Sequence, residues 1–271
     1  YKGMPYEGNE TKVYAYYGIP EHEEGEKVPG VVLVHGGGGT AYASWVKAWN
    51  ERGYAAIAMD LGGKNPDMKR HEWAGPAQCT YSDIYKPIED AWMYHAVSDV
   101  ILAHNILRSF DDVDSSKIGI SGVSWGGVVT STTIGTDKRF AFAVPIYGCG
   151  HLYESETYFS DTLSVKSKYI DPSAYFVNST LPVLFVNDDT DFHFSTTITT
   201  KSYEDIKEHA AITFLADTPH SQETAEAMRE PYAFADSIVG KGAELIKVVN
   251  SESDGSTVWA EIKVPEGRSA A

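Results

Sequence analysis

Short runs of apolar residues recur along the chain, and segments with helical spacing of apolar residues separate them. Runs of this kind are typical of strands that are buried on both faces of a sheet. The predicted strands are residues 11–18, 31–34, 55–60, 117–122, 140–148, 182–187 and 212–217. The predicted helices are residues 43–52, residues 90–110, a segment that starts at Trp125, and residues 221–239. Strands that alternate with helices predict an α/β fold with a mostly parallel central sheet covered by helices on both faces.

The C-terminal part of the chain departs from this alternation. Residues 245–250 and 256–264 each alternate apolar and polar side chains, and Ser253-Asp254-Gly255 between them is a typical hairpin turn. We therefore predict a main domain over residues 1–242 and a short β-hairpin appendage over residues 243–271.

Irregular stretches rich in aromatic residues interrupt the regular pattern. Residues 61–89 have little periodicity and are too long for a plain connection, so we expect them to shape a binding surface. An aromatic-rich insertion also separates the predicted strands 140–148 and 182–187. Such side chains stack on sugar rings or pack an insertion onto the core, and both interpretations are open. The aromatic residues in and beside these stretches are Trp73, Tyr81, Tyr85, Trp92, Tyr94, Tyr153, Tyr158, Phe159, Tyr169 and Tyr175.

The charge balance bears on the kind of partner that the chain can bind. It has 22 basic and 38 acidic residues, which gives a formal net charge of −16. A nucleic-acid partner needs a basic surface that neutralises phosphates, so we expect no nucleic-acid binding. No apolar run reaches the length that crosses a bilayer, so we expect no membrane insertion. The sequence does not indicate an oligomeric state.

The chain begins with Tyr1 rather than Met, so we expect that a preceding segment was removed. Export to the periplasm or the medium is our expectation for its location, with the cytoplasm as the alternative. Cys79 and Cys149 lack the spacing of a zinc site or a disulfide framework. We favour two independent thiols, and a single disulfide is the alternative if the protein is exported.

The most informative motif is Gly122-Val123-Ser124-Trp125-Gly126. It matches the G-x-S-x-G turn, in which a serine lies between a strand and a helix and the flanking glycines avoid collisions with both neighbours. The predicted strand 117–122 and the helix that starts at Trp125 supply the context that the motif requires. Ser124 is therefore the candidate nucleophile.

A glycine-rich loop, residues 35–39, follows the predicted strand 31–34. At this place bare backbone amides can approach a developing oxyanion, because no Cβ stands in the way. We predict that the amides of Gly37 and Trp125 form an oxyanion hole, with Gly36 and Gly38 as alternatives to Gly37. The loop lacks the Lys-Ser/Thr ending of a phosphate-binding loop. His35 is expected to brace the loop rather than to act as a base.

The acid that orients a catalytic histidine is expected in the loop after the predicted strand 182–187. This loop offers Asp188, Asp189 and Asp191. We choose Asp191 because Asp188 lies too close to the end of the strand, and Asp189 is the alternative. A calcium loop is disfavoured because Phe192 stands where an EF-hand has its glycine. We expect no metal ion and no cofactor.

The base is expected last in the chain, and His220 follows the predicted strand 212–217. It precedes a helix that Ser221 can cap. The alternatives are His193 and His209. His193 lies only two residues from the acid, and His209 lies at the end of a predicted polar helix. The order Ser124, Asp191, His220 is the order of nucleophile, acid and base in α/β-hydrolases.

Residues 11–240 resemble an α/β-hydrolase, and three segments carry a closer resemblance. HGGGGTAYASWVKAWNERGYAAIAMD, GVSWGGVVT and VPIYGCG are similar to the acetyl xylan esterase-like branch, which is related to dienelactone hydrolases and prolyl-oligopeptidase-type domains. The resemblance implies a serine carboxylic-ester hydrolase that works through an acyl-enzyme, with Ser124, Asp191 and His220 as its triad. It further implies a small-molecule or carbohydrate ester as substrate, and the removal of acetyl groups from carbohydrate.

The chain departs from two of the related groups. Dienelactone hydrolases use a cysteine nucleophile where this chain has Ser124. Prolyl-oligopeptidase-type enzymes usually carry an N-terminal domain, and we expect none in this chain. The alternatives that stay open are a prolyl-oligopeptidase-type serine peptidase, a feruloyl or general carboxylesterase, and a non-catalytic binding protein with the same fold.

Overall fold

A sheet of seven strands forms the centre of the molecule. The computed structural model describes residues 1–78, 81–155 and 170–267. The strands are β1 Ala15–Gly18, β2 Val28–Val34, β3 Ala55–Met59, β4 Val113–Val123, β5 Ala143–Ile146, β6 Val183–Asp188 and β7 Ala210–Leu215. Their order in the sheet is β1-β3-β2-β4-β5-β6-β7. Only β1 runs antiparallel to its neighbour, and the pairs from β3 to β7 are parallel. The predicted α/β fold with a mostly parallel sheet is confirmed.

Strands β2, β3 and β5 are buried over their whole length, as are all six residues of β6. This burial explains why their sequences are continuous apolar runs rather than alternating patterns. The apolar residues lie against helices that follow the strands along the chain. These helices are α1 Ala43–Glu51, α2 Trp92–Arg108, α3 Trp125–Thr133, α4 Thr196–Glu204, α5 Gln222–Ala227 and α6 Glu230–Val239.

The segment predicted as one helix over residues 221–239 is two helices, α5 and α6. Met228 between them is extended, with ψ of 143°, and Pro231 lies in the first turn of α6. Proline has no amide hydrogen and cannot continue a helix from the preceding turn, but it fits the first turn of a new helix. Ser221 caps α5 as predicted, because its hydroxyl accepts a hydrogen bond from the Thr224 amide at 3.0 Å.

The carboxyl ends of the parallel strands meet at one edge of the sheet. Binding and catalytic residues of α/β proteins lie in the loops at this edge. The glycine-rich loop follows β2, and Ser124 follows β4. Asp191 follows β6 and His220 follows β7, so the topology gathers the candidate nucleophile, acid, base and glycine-rich loop at one edge of the sheet. The alternative base His209 precedes β7 and lies at the opposite edge.

A hairpin of β8 Lys247–Ser253 and β9 Val258–Lys263 forms a separate two-stranded sheet, as predicted. Every residue of both strands is exposed. The cross-strand pairs Val248–Ile262 and Ser253–Val258 share one face with Ala260, and this face is mostly apolar. The opposite face carries Trp259 and several charged residues. No helix among the described residues has the length and hydropathy that a membrane span requires.

Because the hairpin is exposed throughout, its removal is expected to leave the main domain intact. A chain that ends at Leu245, which packs on the core, should unfold within about 2 °C of the longer chain. Thermal unfolding followed by circular dichroism measures this difference. A much larger loss would mean that the hairpin stabilises the main domain through contacts that its exposure does not reveal.

Candidate active site

Ser124 lies at the sharp turn between β4 and α3. Its φ of 57° and ψ of −118° are rare for a residue with a side chain, and they turn Ser124 away from the strand. The Ser124 amide donates to the Ile146 carbonyl at 2.8 Å, and its carbonyl accepts from the Val128 amide at 3.0 Å. Residues 118–123 and 125–135 are buried, whereas Ser124 is half-buried. The turn therefore presents this one side chain to solvent.

The glycines on either side of Ser124 are required by close backbone contacts. A Cβ added to Gly122 would lie 2.1 Å from the carbonyl oxygen of Gly126 in α3. A Cβ added to Gly126 would lie 1.9 Å from the carbonyl oxygen of Val34 in β2. Both distances are far below any real contact. The collisions with the neighbouring helix and strand that the motif predicts are present at these two positions.

Asp191 and His220 are in direct contact, as the sequence predicts. The Nδ1–H of His220 donates to Oδ2 of Asp191 at 2.6 Å, and the Asp191 side chain has no exposed surface. The other carboxylate oxygen of Asp191 accepts hydrogen bonds from the backbone amides of His193 and Phe194, both at 2.7 Å. Three donors therefore fix the position of this carboxylate, and the hydrogen bond to Nδ1 leaves Nε2 of His220 as the basic nitrogen.

Asp188 has a different structural role from Asp191. Its Oδ2 accepts from the amide of Thr218 at 2.6 Å, and its Oδ1 accepts from the amide and the hydroxyl of Thr190. Burial opposes its charge, but these hydrogen bonds outweigh burial and lower the pKa of the carboxyl. Asp188 thus joins the loop that carries Asp191 to the loop that carries His220. The alternative acid, Asp189, is exposed.

Three rings contact the His220 imidazole. The Tyr147 ring stacks on it with centroids 4.7 Å apart, and the Phe194 ring lies nearly parallel to it at 6.1 Å. The Tyr147 hydroxyl donates to the carbonyl of Pro219, the residue before His220, at 3.2 Å. The His193 ring contacts His220 edge-on at 4.9 Å. His193 therefore lies beside the candidate base.

His35 braces the glycine-rich loop, as expected. Its Nδ1–H donates to the Gly36 carbonyl at 2.7 Å, and its Nε2 accepts from the Leu61 amide at 2.9 Å. Both ring nitrogens are thus engaged with backbone groups, and burial lowers the pKa of the imidazole. The other alternative base, His209, is half-buried, and its Nε2 lies 3.2 Å from the Ser179 hydroxyl.

The glycines of the candidate oxyanion hole lie close to Ser124 and Trp125. A Cβ on Gly36 would lie 3.2 Å from the Ser124 Cβ, and a Cβ on Gly37 would lie 2.9 Å from Cδ1 of Trp125. The Gly38 amide donates to Oε1 of Gln78 at 2.8 Å, so it is already engaged. Trp125 is the first residue of α3, where backbone amides point out of the helix.

These groups surround a cavity of about 410 Å³. Ser124 and His220 both line it, although no hydrogen bond joins these two described residues, and such pairs often tighten only when substrate binds. The lining residues are Gly36, Gly37, Tyr42, Val123, Ser124, Trp125, His193, Phe194, His220, Ser221 and Gln222. Among the described residues, no group of three or more His, Cys, Asp or Glu side chains is arranged to hold a metal ion.

The aromatic residues singled out from the sequence differ in burial, and Tyr94, Tyr153 and Tyr175 are half-buried. Tyr81 and Trp92 are buried and contact the Trp125 ring edge-on, at 5.4 and 6.1 Å, so they pack the nucleophile turn. Trp73 and Tyr85 are exposed. Three more of them, Tyr158, Phe159 and Tyr169, lie outside the described residues, as does Cys79. Cys149 is buried, and burial raises the pKa of its thiol well above the usual range.

Several residues at this site were not predicted, namely Tyr42, Gln78, Tyr147, Phe194 and Gln222. Tyr42 and Tyr147 lie in segments that carry the resemblance, which assigned them no role. Their contacts arise from tertiary packing, and the sequence offered only the general signal that Gln78 lies in an irregular segment expected to shape a binding surface.

Replacement of Asp188 by Asn is expected to lower the free energy of unfolding at neutral pH by about 1–2 kcal/mol, because the charged acceptor of the Thr218 amide is lost. Since folding lowers the pKa of Asp188, its ionisation stabilises the folded state above the ordinary carboxyl pKa. This contribution is lost as the pH falls through the lowered pKa.

Urea unfolding of both proteins from neutral to acid pH measures this difference, which should shrink in the acid range. Asp189→Asn, at the exposed neighbour, is the matched control and should have no such effect. A difference that stays constant with pH would contradict the assigned role of Asp188.

Comparisons with known proteins bear on the family and the fold of the chain. The model of the acetyl xylan esterase family, AXE1, matches residues 3–176. A comparison with curated proteins finds no match. An acetyl xylan esterase from Paenibacillus sp. R4 is similar in structure, with 20% identity, a TM-score of 0.67, and coverage of 84% of this chain and 80% of that one.

Acetyl xylan esterase 1 from Thermoanaerobacterium sp. JW/SL YS485 has 16% identity and a TM-score of 0.64, and the match covers 83% of this chain and 78% of that one. A puromycin-hydrolysing peptidase of Mycobacterium tuberculosis has 19% identity and a TM-score of 0.68. That match covers 89% of this chain but only 39% of the peptidase. At these identities the similarity to solved structures shows the fold.

Proposed function

The chain belongs to the acetyl xylan esterase family, whose model spans residues 3–176, and we propose that it removes acetyl groups from acetylated carbohydrate. It is a serine carboxylic-ester hydrolase. The observation that carries the proposal is the 2.6 Å hydrogen bond between His220 and the buried carboxylate of Asp191, beside the cavity that His220 and Ser124 both line.

In the proposed reaction, Nε2 of His220 takes the hydroxyl proton of Ser124 while Oγ attacks the carbonyl carbon of the ester. Asp191 accepts the hydrogen bond of Nδ1–H and stabilises the imidazolium that forms. The amides of Gly37 and Trp125 bind the oxygen on which negative charge develops. The bond to the alcohol oxygen then breaks, the alcohol takes the proton from His220, and an acetyl group remains on Ser124.

Water completes the cycle by the same route. His220 removes a proton from the water molecule as its oxygen attacks the acyl-enzyme, and the Ser124 oxygen takes that proton from His220 as acetic acid leaves. Acetic acid then releases its remaining proton to solvent and becomes acetate. The His220 imidazole must keep its orientation through both halves. Its stacking on Tyr147 and the hydrogen bonds that fix Asp191 support that requirement.

A carbohydrate substrate is supported by the family and by the surface around the cavity. Part of the cavity lining carries hydroxyl and amide groups, which come from Tyr42, Ser221 and Gln222. Such groups form hydrogen bonds with sugar hydroxyls. The exposed rings of Trp73 and Tyr85 belong to the irregular stretch that we expect to shape a binding surface. Export from the cytoplasm stays a prediction.

Replacement of Ser124 by Ala is expected to lower kcat/KM for 4-nitrophenyl acetate by more than about 10⁴-fold, because the members of such a triad act as a unit. The same variant should lose labelling by a fluorophosphonate probe, which reacts only with an activated serine. Ser131→Ala, which alters a buried serine in α3, is the matched control and should keep both properties. Labelling of the Ser124→Ala protein would contradict the assignment of the nucleophile.

A substrate panel separates the proposed activity from its alternatives. We expect kcat/KM to be highest for acetyl esters and lower for longer acyl and feruloyl esters of the same alcohol. Peptide anilides, which a prolyl-oligopeptidase-type enzyme would cleave, are expected to react far more slowly. Measurements with acetylated xylo-oligosaccharides test the carbohydrate part. A preference for anilides over acetyl esters would overturn the proposal in favour of a peptidase.

A further inference from the structure

Two side chains of the irregular stretch after β3 bind the backbone of the glycine-rich loop. Nζ of Lys64 donates to the Gly38 carbonyl at 2.9 Å and to the Gly39 carbonyl at 3.4 Å. Oε1 of Gln78 accepts from the Gly38 amide at 2.8 Å. Both residues are half-buried, and neither is among the described residues that line the cavity. The proposed reaction assigns no role to either of them.

The loop depends on contacts of this kind because its backbone is unusually free to change conformation. Residues 36–39 are four consecutive glycines, and the φ of Gly38 is 76°, in the left-handed region. Glycine visits many backbone conformations and has no side chain that could lock one of them. An oxyanion donor is effective only if it points at the developing charge before the reaction begins. Contacts from outside the loop must therefore fix the direction of the Gly37 amide.

A chain of hydrogen-bonded peptide groups connects Lys64 with the Gly37 amide. The Gly38 carbonyl that Lys64 binds belongs to the peptide group between Gly38 and Gly39. The N–H of this peptide group donates to the Gly36 carbonyl at 3.3 Å. That carbonyl shares a peptide group with the Gly37 N–H, and the two point in opposite directions in a planar trans peptide. The contacts of the Gly36 carbonyl thus set the direction of the Gly37 N–H.

Gln78 fixes the peptide group that lies between these two. The Gly38 N–H that it binds belongs to the peptide group between Gly37 and Gly38. This peptide group cannot rotate without losing the hydrogen bond to Gln78. Together, Gln78 and Lys64 restrain the loop at two successive peptide groups next to the Gly37 amide.

Lys64 also brings a charge to this chain, whereas His35 does not. His35 is the second donor to the Gly36 carbonyl, at 2.7 Å, but burial lowers the pKa of its imidazole, which is therefore neutral at neutral pH. Hydrogen bonds in a chain polarise one another, so a cation at one end strengthens the donor at the other end. The Lys64 ammonium therefore favours negative charge beside the Gly37 N–H.

The backbone of Lys64 is itself anchored at the end of β3. Its amide and the amide of Gly62 donate to Oδ2 of Asp60, at 2.6 and 2.8 Å. Asp60 is buried and directly follows β3. The lysine side chain therefore extends from a fixed point of the sheet to the loop.

We infer that Lys64 and Gln78 are positioning residues of the oxyanion hole, which hold the glycine-rich loop with the Gly37 amide directed at the substrate oxygen. Lys64 in addition strengthens this donor through its charge. The inference rests on the proposed function, because it names the residues that orient an oxyanion donor of the same reaction.

The experiment compares Lys64→Met, Lys64→Arg and Gln78→Met with the unaltered protein. Lys69→Met is the matched control, because it makes the same substitution at an exposed lysine of the same irregular stretch. The measurements are kcat/KM for 4-nitrophenyl acetate, the inhibition constant of trifluoroacetone, and Tm. Ser124 Oγ adds to the carbonyl carbon of trifluoroacetone and passes its proton to His220, and the hemiketal oxyanion that forms mimics the tetrahedral intermediate.

Lys64→Met is expected to lower kcat/KM about tenfold and to raise the trifluoroacetone inhibition constant by a similar factor, because both report the stabilisation of an oxyanion. Gln78→Met should show a parallel, smaller loss in both. Lys64→Arg, which keeps the charge, should stay within about threefold of the unaltered protein, and Lys69→Met should change neither quantity.

A reduced kcat/KM with an unchanged inhibition constant would overturn the inference, because the loss would then lie elsewhere than at the oxyanion. Unchanged kcat/KM in both Lys64→Met and Gln78→Met would also overturn it, since a lowered Tm alone would mean a purely structural role. If Lys64→Met does not fold, Gln78→Met makes the same comparison.

Failure of the proposed function has a different signature. The unaltered protein would then cleave 4-nitrophenyl acetate but not acetylated xylo-oligosaccharides. The comparison of the variants on 4-nitrophenyl acetate and trifluoroacetone would still decide the inference.

Discussion

The close contact of helix α3 with strand β2 beneath Ser124 is the constraint on which the rest of the site depends. The Val34 carbonyl occupies the place where a Cβ of Gly126 would stand, and Gly122 approaches the same helix as closely. Only at this separation can the chain turn from β4 into α3 with Ser124 at a positive φ. The turn brings the Ser124 hydroxyl out of the buried layer to the edge of the sheet, and the other groups of the site lie around this hydroxyl.

The other groups reach that point because of the strand order. With β2 and β5 on either side of β4, the glycine-rich loop and the Tyr147 turn flank Ser124 directly. Strands β6 and β7 lie farther out, and Asp188 joins the loops that follow them. The acid and the base are therefore held to each other more firmly than either is held to the nucleophile, which agrees with the 2.6 Å hydrogen bond between Asp191 and His220.

The sequence was most informative where local geometry decides the outcome. The turn at Ser124 needs glycines at fixed positions, and the buried strands need unbroken apolar runs, so both can be recognised from neighbouring residues alone. The choice of Asp191 over Asp188 rested on distance from the strand end, and the structure places Asp191, rather than Asp188, against His220. Contacts between distant segments were not predictable. Nothing in the sequence distinguishes the buried Tyr81 from the exposed Tyr85, or brings Gln78 to the Gly38 amide.

The net charge of −16 also affects how a catalytic cycle would end. The product of the proposed reaction is acetate, an anion, whereas the substrate is a neutral ester. An acidic protein surface repels an anion but exerts little net force on a neutral molecule. The charge balance that disfavours a nucleic-acid partner therefore also favours departure of the product over its retention.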